Sequence, residues 1–262
     1  MHNFEFVKPS SIADAVAALA NEDAQPISGG QTLIPSMKAR LNAPEILVSL
    51  TGIAEMAGVR RDGSTMVVGA ATTHAAVARE AAADFPGLAA LAGQIGDPAV
   101  RNRGTLGGSV ANNDPSACYP AAVLGTGATI VTNSREIGAD DFFQGMFTTA
   151  LEEGEIITEI RFPIPQKSAY AKFLQPASRF ALTGVFVAQY ASGVRVAVTG
   201  ASEGGVFRWA EAEAVLSSSF DAESIGRLSH PADGMIADLH GTSEYRAHLV
   251  RVMTQRAVRA AG

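Results

Sequence analysis

Two short segments carry the residue types that bind anions. Ser28-Gly29-Gly30-Gln31-Thr32 follows the apolar residue Ile27 and precedes Leu33 and Ile34, so its glycines fall between a predicted strand and a predicted helix. Glycines there let backbone N–H groups approach an anion, and the start of a helix adds favourable partial charge. Arg103-Gly104-Thr105-Leu106-Gly107-Gly108-Ser109 has a second glycine pair, flanked by the hydroxyl donors Thr105 and Ser109. Either turn alone is most simply a tight bend. Both together, with hydroxyls, suit one pyrophosphate.

Neither turn is a nucleotide-hydrolysing loop, because no Lys followed by Ser or Thr closes a glycine-rich stretch and Lys38 lies too far along. Gly125-Thr126-Gly127 imitates a dinucleotide fingerprint but lacks the third glycine and runs into a predicted strand, so it reads as a turn. Asp114, before Pro115, suits a ribose hydroxyl or a turn equally. On local chemistry His74 reads first as a cap beside Thr72 and Thr73 and second as a cofactor contact, Lys172 first as a solvated charge on a strand and second as a residue facing a site, and Cys118 as a small buried hydrophobe. The histidines His2, His74, His230, His240 and His248 show no zinc-type spacing with carboxylates, so no metal site is expected.

These candidates need a frame to hold them. Ser11 is placed to cap a helix with Ile12, Ala15, Val16 and Leu19 on one face, and Pro26-Ile27 enters the first glycine turn. Leu33, Met37 and Leu41 mark a second helical face, and residues 45–50 read as a buried strand. Residues 65–70 predict a strand, while 75–85 and 88–94 predict helices. The stretch from Gly96 to Pro120, rich in glycine, proline and small polar residues, predicts a long ordered loop or linker. Residues 155–162 predict a strand, and Pro163-Ile164-Pro165 marks a domain junction. Beyond it, 181–190 and 194–199 predict a hairpin, and a helix from Ser243 carries Tyr245, Leu249, Val252 and Met253 on one face.

Composition removes several function classes. The chain of 262 residues is 47% hydrophobic and 18% charged, ordinary for a packed globule. A net charge of −6 and the absence of any Lys and Arg run argue against nucleic acid. The most apolar stretch, 119–131, is shorter than the ~20 residues of a membrane span, and the N-terminus lacks a basic segment followed by an apolar run, so a cytoplasmic protein is expected. The single cysteine excludes an internal disulfide and an iron–sulfur cluster, which takes about four thiolates.

Taken in order, ISGGQTLIP (27–35), IGDPAVRNRGTLGGS (95–109), DFFQG (141–145), EGEII (153–157) and YAKF (170–173) resemble the medium flavoprotein subunit of the xanthine dehydrogenase and aerobic carbon monoxide dehydrogenase family, the molybdenum hydroxylases. The resemblance spans nearly the whole chain. It implies an α+β fold: a vanillyl-alcohol-oxidase-like (PCMH-type) FAD-binding domain, 1–165, of two α/β subdomains (about 1–53 and 54–165), then a C-terminal domain, 166–262, of antiparallel sheet with helices. It also implies non-covalent FAD. Ile27, Ser28, Gly29, Gly30, Gln31, Thr32, Leu33 and Ile34, with Thr105, Leu106, Gly107, Gly108 and Ser109, would hold its pyrophosphate. Ile95 and Lys172 would lie near the flavin, Ile157 would meet the adenine through its backbone, and Asp114 would serve the adenosine half. Thr32 replaces the commoner Ser, and Cys118 stands where many relatives have an Asp that contacts the adenosine half.

The implied role is electron transfer without a catalytic residue of its own. Substrate is oxidised at a molybdenum cofactor on a large subunit, electrons cross [2Fe–2S] clusters on a small one, and this FAD passes them to an external acceptor, in a dimer of heterotrimers. The FFQGMF stretch (142–147) leans toward the carbon monoxide dehydrogenase branch. Two rival readings stand beside it: a self-sufficient FAD oxidoreductase of the vanillyl-alcohol oxidase or UDP-acetylenolpyruvylglucosamine reductase lineage, and a flavin-free interaction subunit.

Overall fold

The computed structural model describes residues 1–262. The chain begins with β1 (Glu5–Val7), α1 (Ile12–Leu19), β2 (Ala24–Ile27), α2 (Leu33–Lys38) and β3 (Ile46–Ser49). Ser11 Oγ accepts from Asp14 N at 3.1 Å and caps α1 as its type predicts. The strands form a parallel sheet in the order β1-β3-β2, which requires helical crossovers, and α1 and α2 supply them. β2 ends directly at the first glycine turn. The second helical face is shorter than expected: α2 stops at Lys38, Arg40 is left-handed at φ 59°, and Leu41 is 83% exposed.

A 3₁₀ turn at Ala54–Met56 leads into β4 (Val59–Asp62), β5 (Thr65–Gly69), α3 (His74–Glu80), α4 (Pro86–Gly93), α5 (Pro98–Arg101), α6 (Leu106–Asn112) and α7 (Tyr119–Thr126). Then follow β6 (Thr129–Thr132), β7 (Glu136–Gly138), α8 (Ala139–Phe142), β8 (Phe143–Gly145), β9 (Thr148–Thr149) and β10 (Ile157–Pro163). The sheet order is β4-β5-β10-β6-β7, with every pair antiparallel. The last strand of this stretch is thus its centre, and it fastens the helices between β5 and β6 over one sheet.

The expected loop from Gly96 to Pro120 is instead helical through α5, α6 and the start of α7. Asp97 caps α5 by accepting from Val100 N at 2.9 Å, and Thr105 caps α6 by accepting from Gly108 N at 3.3 Å. Both helices are so short that cap and stop residues outnumber any apolar period. The Gly125-Thr126-Gly127 turn is the end of α7, closed by Gly127 in the left-handed region at φ 63°.

The chain ends with β11 (Lys167–Leu174), β12 (Ala181–Tyr190), β13 (Gly193–Thr199), β14 (Phe207–Arg208), α9 (Ala210–Ser218), α10 (Ala222–Ile225) and α11 (Ser243–Ala261). Its antiparallel sheet runs β11-β12-β13-β14, with the expected hairpin between β12 and β13. Leu249 and Met253 of α11 are buried, while Tyr245 is half exposed. The fold is α+β, as expected. One apolar core joins the parts: Phe186 of β12 meets Phe85, at the start of α4, edge-on at 6.2 Å. A second core lies between the last sheet and α9, α10 and α11.

Candidate functional site

The two glycine turns form one wall. Thr105 Oγ1 donates to Ser28 Oγ at 2.7 Å, and the turns meet main chain to main chain: a Cβ on Gly29 would stand 2.6 Å from Gly104 Cα and 2.7 Å from Arg103 C. Only glycine permits that approach.

The turns differ in what they offer. The backbone N–H groups of Gly29, Gly30, Gln31 and Thr32 make no hydrogen bond within the chain, so four consecutive donors are left unpaired in the cleft wall. Gly30 sustains this fan at φ 69°, and Gln31 Nε2 braces it by donating to Gly29 O at 2.9 Å. In the second turn the donors are already used. Leu106 N donates to Thr72 O (3.0 Å), Gly107 N to Ala70 O (2.8 Å), Gly108 N to Thr105 Oγ1 (3.3 Å) and Ser109 N to Thr105 O (3.1 Å). Gly107 is bare so that α6 can approach β5, because its Cβ would sit 2.5 Å from Ala70 Cβ. The second turn therefore supplies shape and the Ser109 hydroxyl, not backbone donors.

A cleft of about 680 Å³ opens in front of this wall, within the range that encloses cofactor-sized ligands (roughly 300–1,000 Å³). Ile27 through Leu33, Ile95, Thr105, Gly107 through Ser109, Asp114, Ile157 and Lys172 all line it, so the structure gathers residues from around the three larger sheets. Two expected residues do not line it. Leu106 is fully buried in the core, and Ile34 lies beneath the first turn with its Cδ1 under Gly30. Both face inward because each sits in the first turn of a helix whose apolar side packs on a sheet.

Lys172 is not a solvated charge. Its ammonium donates to Gln94 O at 2.7 Å, Arg179 O at 2.9 Å and Cys118 Sγ at 3.6 Å. Cys118 is buried and also lines the cleft. The sequence reading set Lys172 at the flavin and position 118 at the adenosine half; the contact between them puts both at one end, with Ile95 next to Gln94. Asp114 acts in a turn, accepting from Ser116 N at 2.8 Å, while also lining the cleft.

Of the two readings of His74 the cap fails: Thr73 Oγ1 caps α3 by accepting from Ala76 N, and the His74 ring is buried in the cleft wall. Burial, and secondarily the Arg101 charge, lower its imidazole to about 4, so it is neutral at pH 7. Glu155 and the 178–180 loop carry no signal of a site in the sequence. Glu155 lines the cleft beside Ile156 and Ile157 with its carboxylate held by Arg135, Thr132, Ser134 and the Glu152 N–H; the Arg135 contact leads in lowering it to about 2. The loop of Ser178, Arg179 and Phe180 closes the cleft from the last sheet, with Arg179 left-handed at φ 63°.

A family described as the FAD binding domain in molybdopterin dehydrogenase matches residues 2–165. The chain is 36% identical to the carbon monoxide dehydrogenase medium chain of Afipia carboxidovorans, over 99% of this chain and 96% of that one. This chain belongs to the FAD-binding medium subunits of the molybdenum hydroxylase family. Its kinship within that family is broad, because the nicotine 6-hydroxylase medium subunit of Paenarthrobacter nicotinovorans is 34% identical over 98% of this chain. The solved structure of a Cu,Mo-CO dehydrogenase superposes with a TM-score of 0.88 at 33% identity, covering 99% of this chain and 98% of that one. As an FAD-binding medium subunit the protein is an oxidoreductase component, and its cleft fits the cofactor on its own terms: four unpartnered backbone donors beside a glycine gap match a pyrophosphate.

Proposed function

We propose that this chain is the FAD-carrying electron-transfer subunit of a heteromeric molybdenum hydroxylase, receiving electrons from [2Fe–2S] clusters of a small partner and delivering them to an external acceptor. The observation that carries this reading is the fan of free N–H groups from Gly29 to Thr32, set in a cleft lined by the family's motif residues. FAD supplies exchange between one-electron and two-electron steps. The chain's own residues bind and orient it. The first turn grips the pyrophosphate, Ser109 adds a hydroxyl, Ile157 borders the adenine, and Ile95 with Lys172 borders the ring.

The Lys172 ammonium, tied to Gln94 O and Arg179 O, holds the 178–180 loop over the ring end and keeps water out. Residues 1–165 form the FAD domain, with subdomains at about 1–53 and 54–165, and 166–262 the C-terminal domain. The lone cysteine leaves cluster ligation to a partner. The relatives named medium chain and medium subunit support a place in a multi-subunit complex. The partners proposed are a large subunit with the molybdenum cofactor and a small [2Fe–2S] subunit, in a cytoplasmic dimer of heterotrimers. Purification of the native complex tests this. Stoichiometric FAD, molybdenum and iron with two co-purifying subunits is the expected result, and a colourless chain purifying alone refutes it.

A further inference from the structure

His74 is placed oddly for a structural histidine. Its Nδ1 is sealed from solvent with no hydrogen-bond partner, so an N–H there would go unpaired and the ring's proton belongs on Nε2. Nε2 is the nitrogen left on the cleft side, beside Gly104, where a Cβ would come within 2.5 Å of it. Nothing in the chain accepts from it. Being neutral, the ring has one N–H to give, and the open space beside it is the cleft.

Its position along the wall is set by its neighbours. On one side Gly104 abuts Gly29 of the anion-binding turn. On the other, Arg101, whose charge acts on the imidazole, donates to Ile95 O at 2.9 Å and Gly96 O at 3.0 Å, and Gln94 O receives Lys172. His74 therefore lies between the pyrophosphate turn and the ring end. Tyr119 backs the imidazole at 5.3 Å between ring centroids and fixes its plane.

We propose that His74 is a further cofactor-contacting residue, whose Nε2–H hydrogen-bonds an oxygen of the ribityl chain or of the flavin-side phosphate, the half that FAD shares with FMN. The inference rests on the FAD reading of the cleft. A group kept for a ligand carries a signature that a structural group lacks: removing it weakens binding yet does not harm the empty protein.

The test uses apoprotein of the full chain, with His74→Leu and His74→Gln. Dissociation constants for FAD, FMN and riboflavin come from flavin fluorescence quenching, and melting temperatures of the apoproteins from circular dichroism. His74→Leu is expected to weaken FAD and FMN about tenfold, the worth of one buried hydrogen bond. Its apoprotein should melt at or above the wild-type temperature. His74→Gln, which keeps a donor near Nε2, should stay within about threefold of wild type for FAD. An equal loss for riboflavin assigns the ribityl chain, and a loss confined to FMN and FAD assigns the phosphate. Unchanged FAD affinity, weakening confined to FAD, or a drop in apoprotein melting temperature for both variants overturns the proposal. A wild-type chain that binds no FAD would instead overturn the FAD reading beneath it.

Discussion

Gly29→Ala is the sharpest probe of the wall, because it adds one methyl where main chain meets main chain. That carbon would overlap Arg103 O, its nearest neighbour, and lie 2.6 Å from Gly104 Cα against 3.4 Å for ordinary contact, so the turns must part by at least roughly 0.8 Å. No side chain can swing aside to absorb this. Overpacking on that scale costs about 1–3 kcal/mol, and loss of the bond between Thr105 and Ser28 adds about 1 kcal/mol. The lower entropy of the unfolded Ala chain returns about 0.4–1 kcal/mol. A net destabilisation of about 1–3 kcal/mol is expected. Binding should suffer more, since parting the turns misdirects the Gly29 to Thr32 donors. Two misaligned bonds to a charged acceptor, at about 1.5 kcal/mol each, correspond to a hundredfold rise in Kd for FAD. Gly30→Ala is the comparator: its left-handed φ of 69° costs about 1–2 kcal/mol, but the new methyl meets only the flexible end of Ile34. FAD titration of apoprotein with a parallel urea melt measures both. A folded Gly29→Ala protein with Kd within threefold of wild type would refute the idea that the two turns act as one wall.

Other consequences are checked as directly. Gly107→Ala should lower apoprotein stability by about 1–3 kcal/mol through its clash with Ala70, with FAD affinity falling only about as far as folding does. Lys172→Met removes the tie between Gln94 O and Arg179 O, so amide exchange in residues 175–180 should quicken at least tenfold by mass spectrometry; unchanged exchange would contradict the tie. The Glu155 carboxyl, held down to about 2, contributes stability that is complete above about 4.5 and lost as pH falls toward 2, so Glu155→Gln should flatten that limb of a denaturation profile by on the order of 2 kcal/mol. His74 acts in a different window. Its imidazole is lowered to about 4, so the unfolded chain takes up a proton below about 6.5 that the folded chain refuses, and stability declines from 6.5 toward 4; His74→Gln should remove that decline.

Much of the frame was legible because its signals are local. Ser11 before an apolar face, the apolar runs at 181–190 and 194–199 on either side of Ser192-Gly193, and the strand ending at Ile27 depend on nearby residues alone. The helices α5 and α6 were missed because a helix of four or seven residues has more capping than apolar positions. Leu41 was misplaced because the left-handed Arg40, which turns the chain off the helix, has no signature in an arginine.

The site was legible to the degree that its residues act alone. Gly29-Gly30 and Gly107-Gly108 look alike in sequence, yet one pair frees backbone donors and the other removes Cβ atoms so that a helix can dock. The difference lies in Ala70 and Thr72, whose carbonyls take the N–H groups of Gly107 and Leu106 and have no equivalent opposite Gly29. Lys172 and Cys118 make the same point about charge: singly they read as a solvated cation and a buried thiol, and together they form one end of the cleft. His74 goes further. Its neighbour Thr73 is the cap that its own position suggested, which leaves the imidazole with no hydrogen-bond partner in the chain and only its Nε2 open to the cleft.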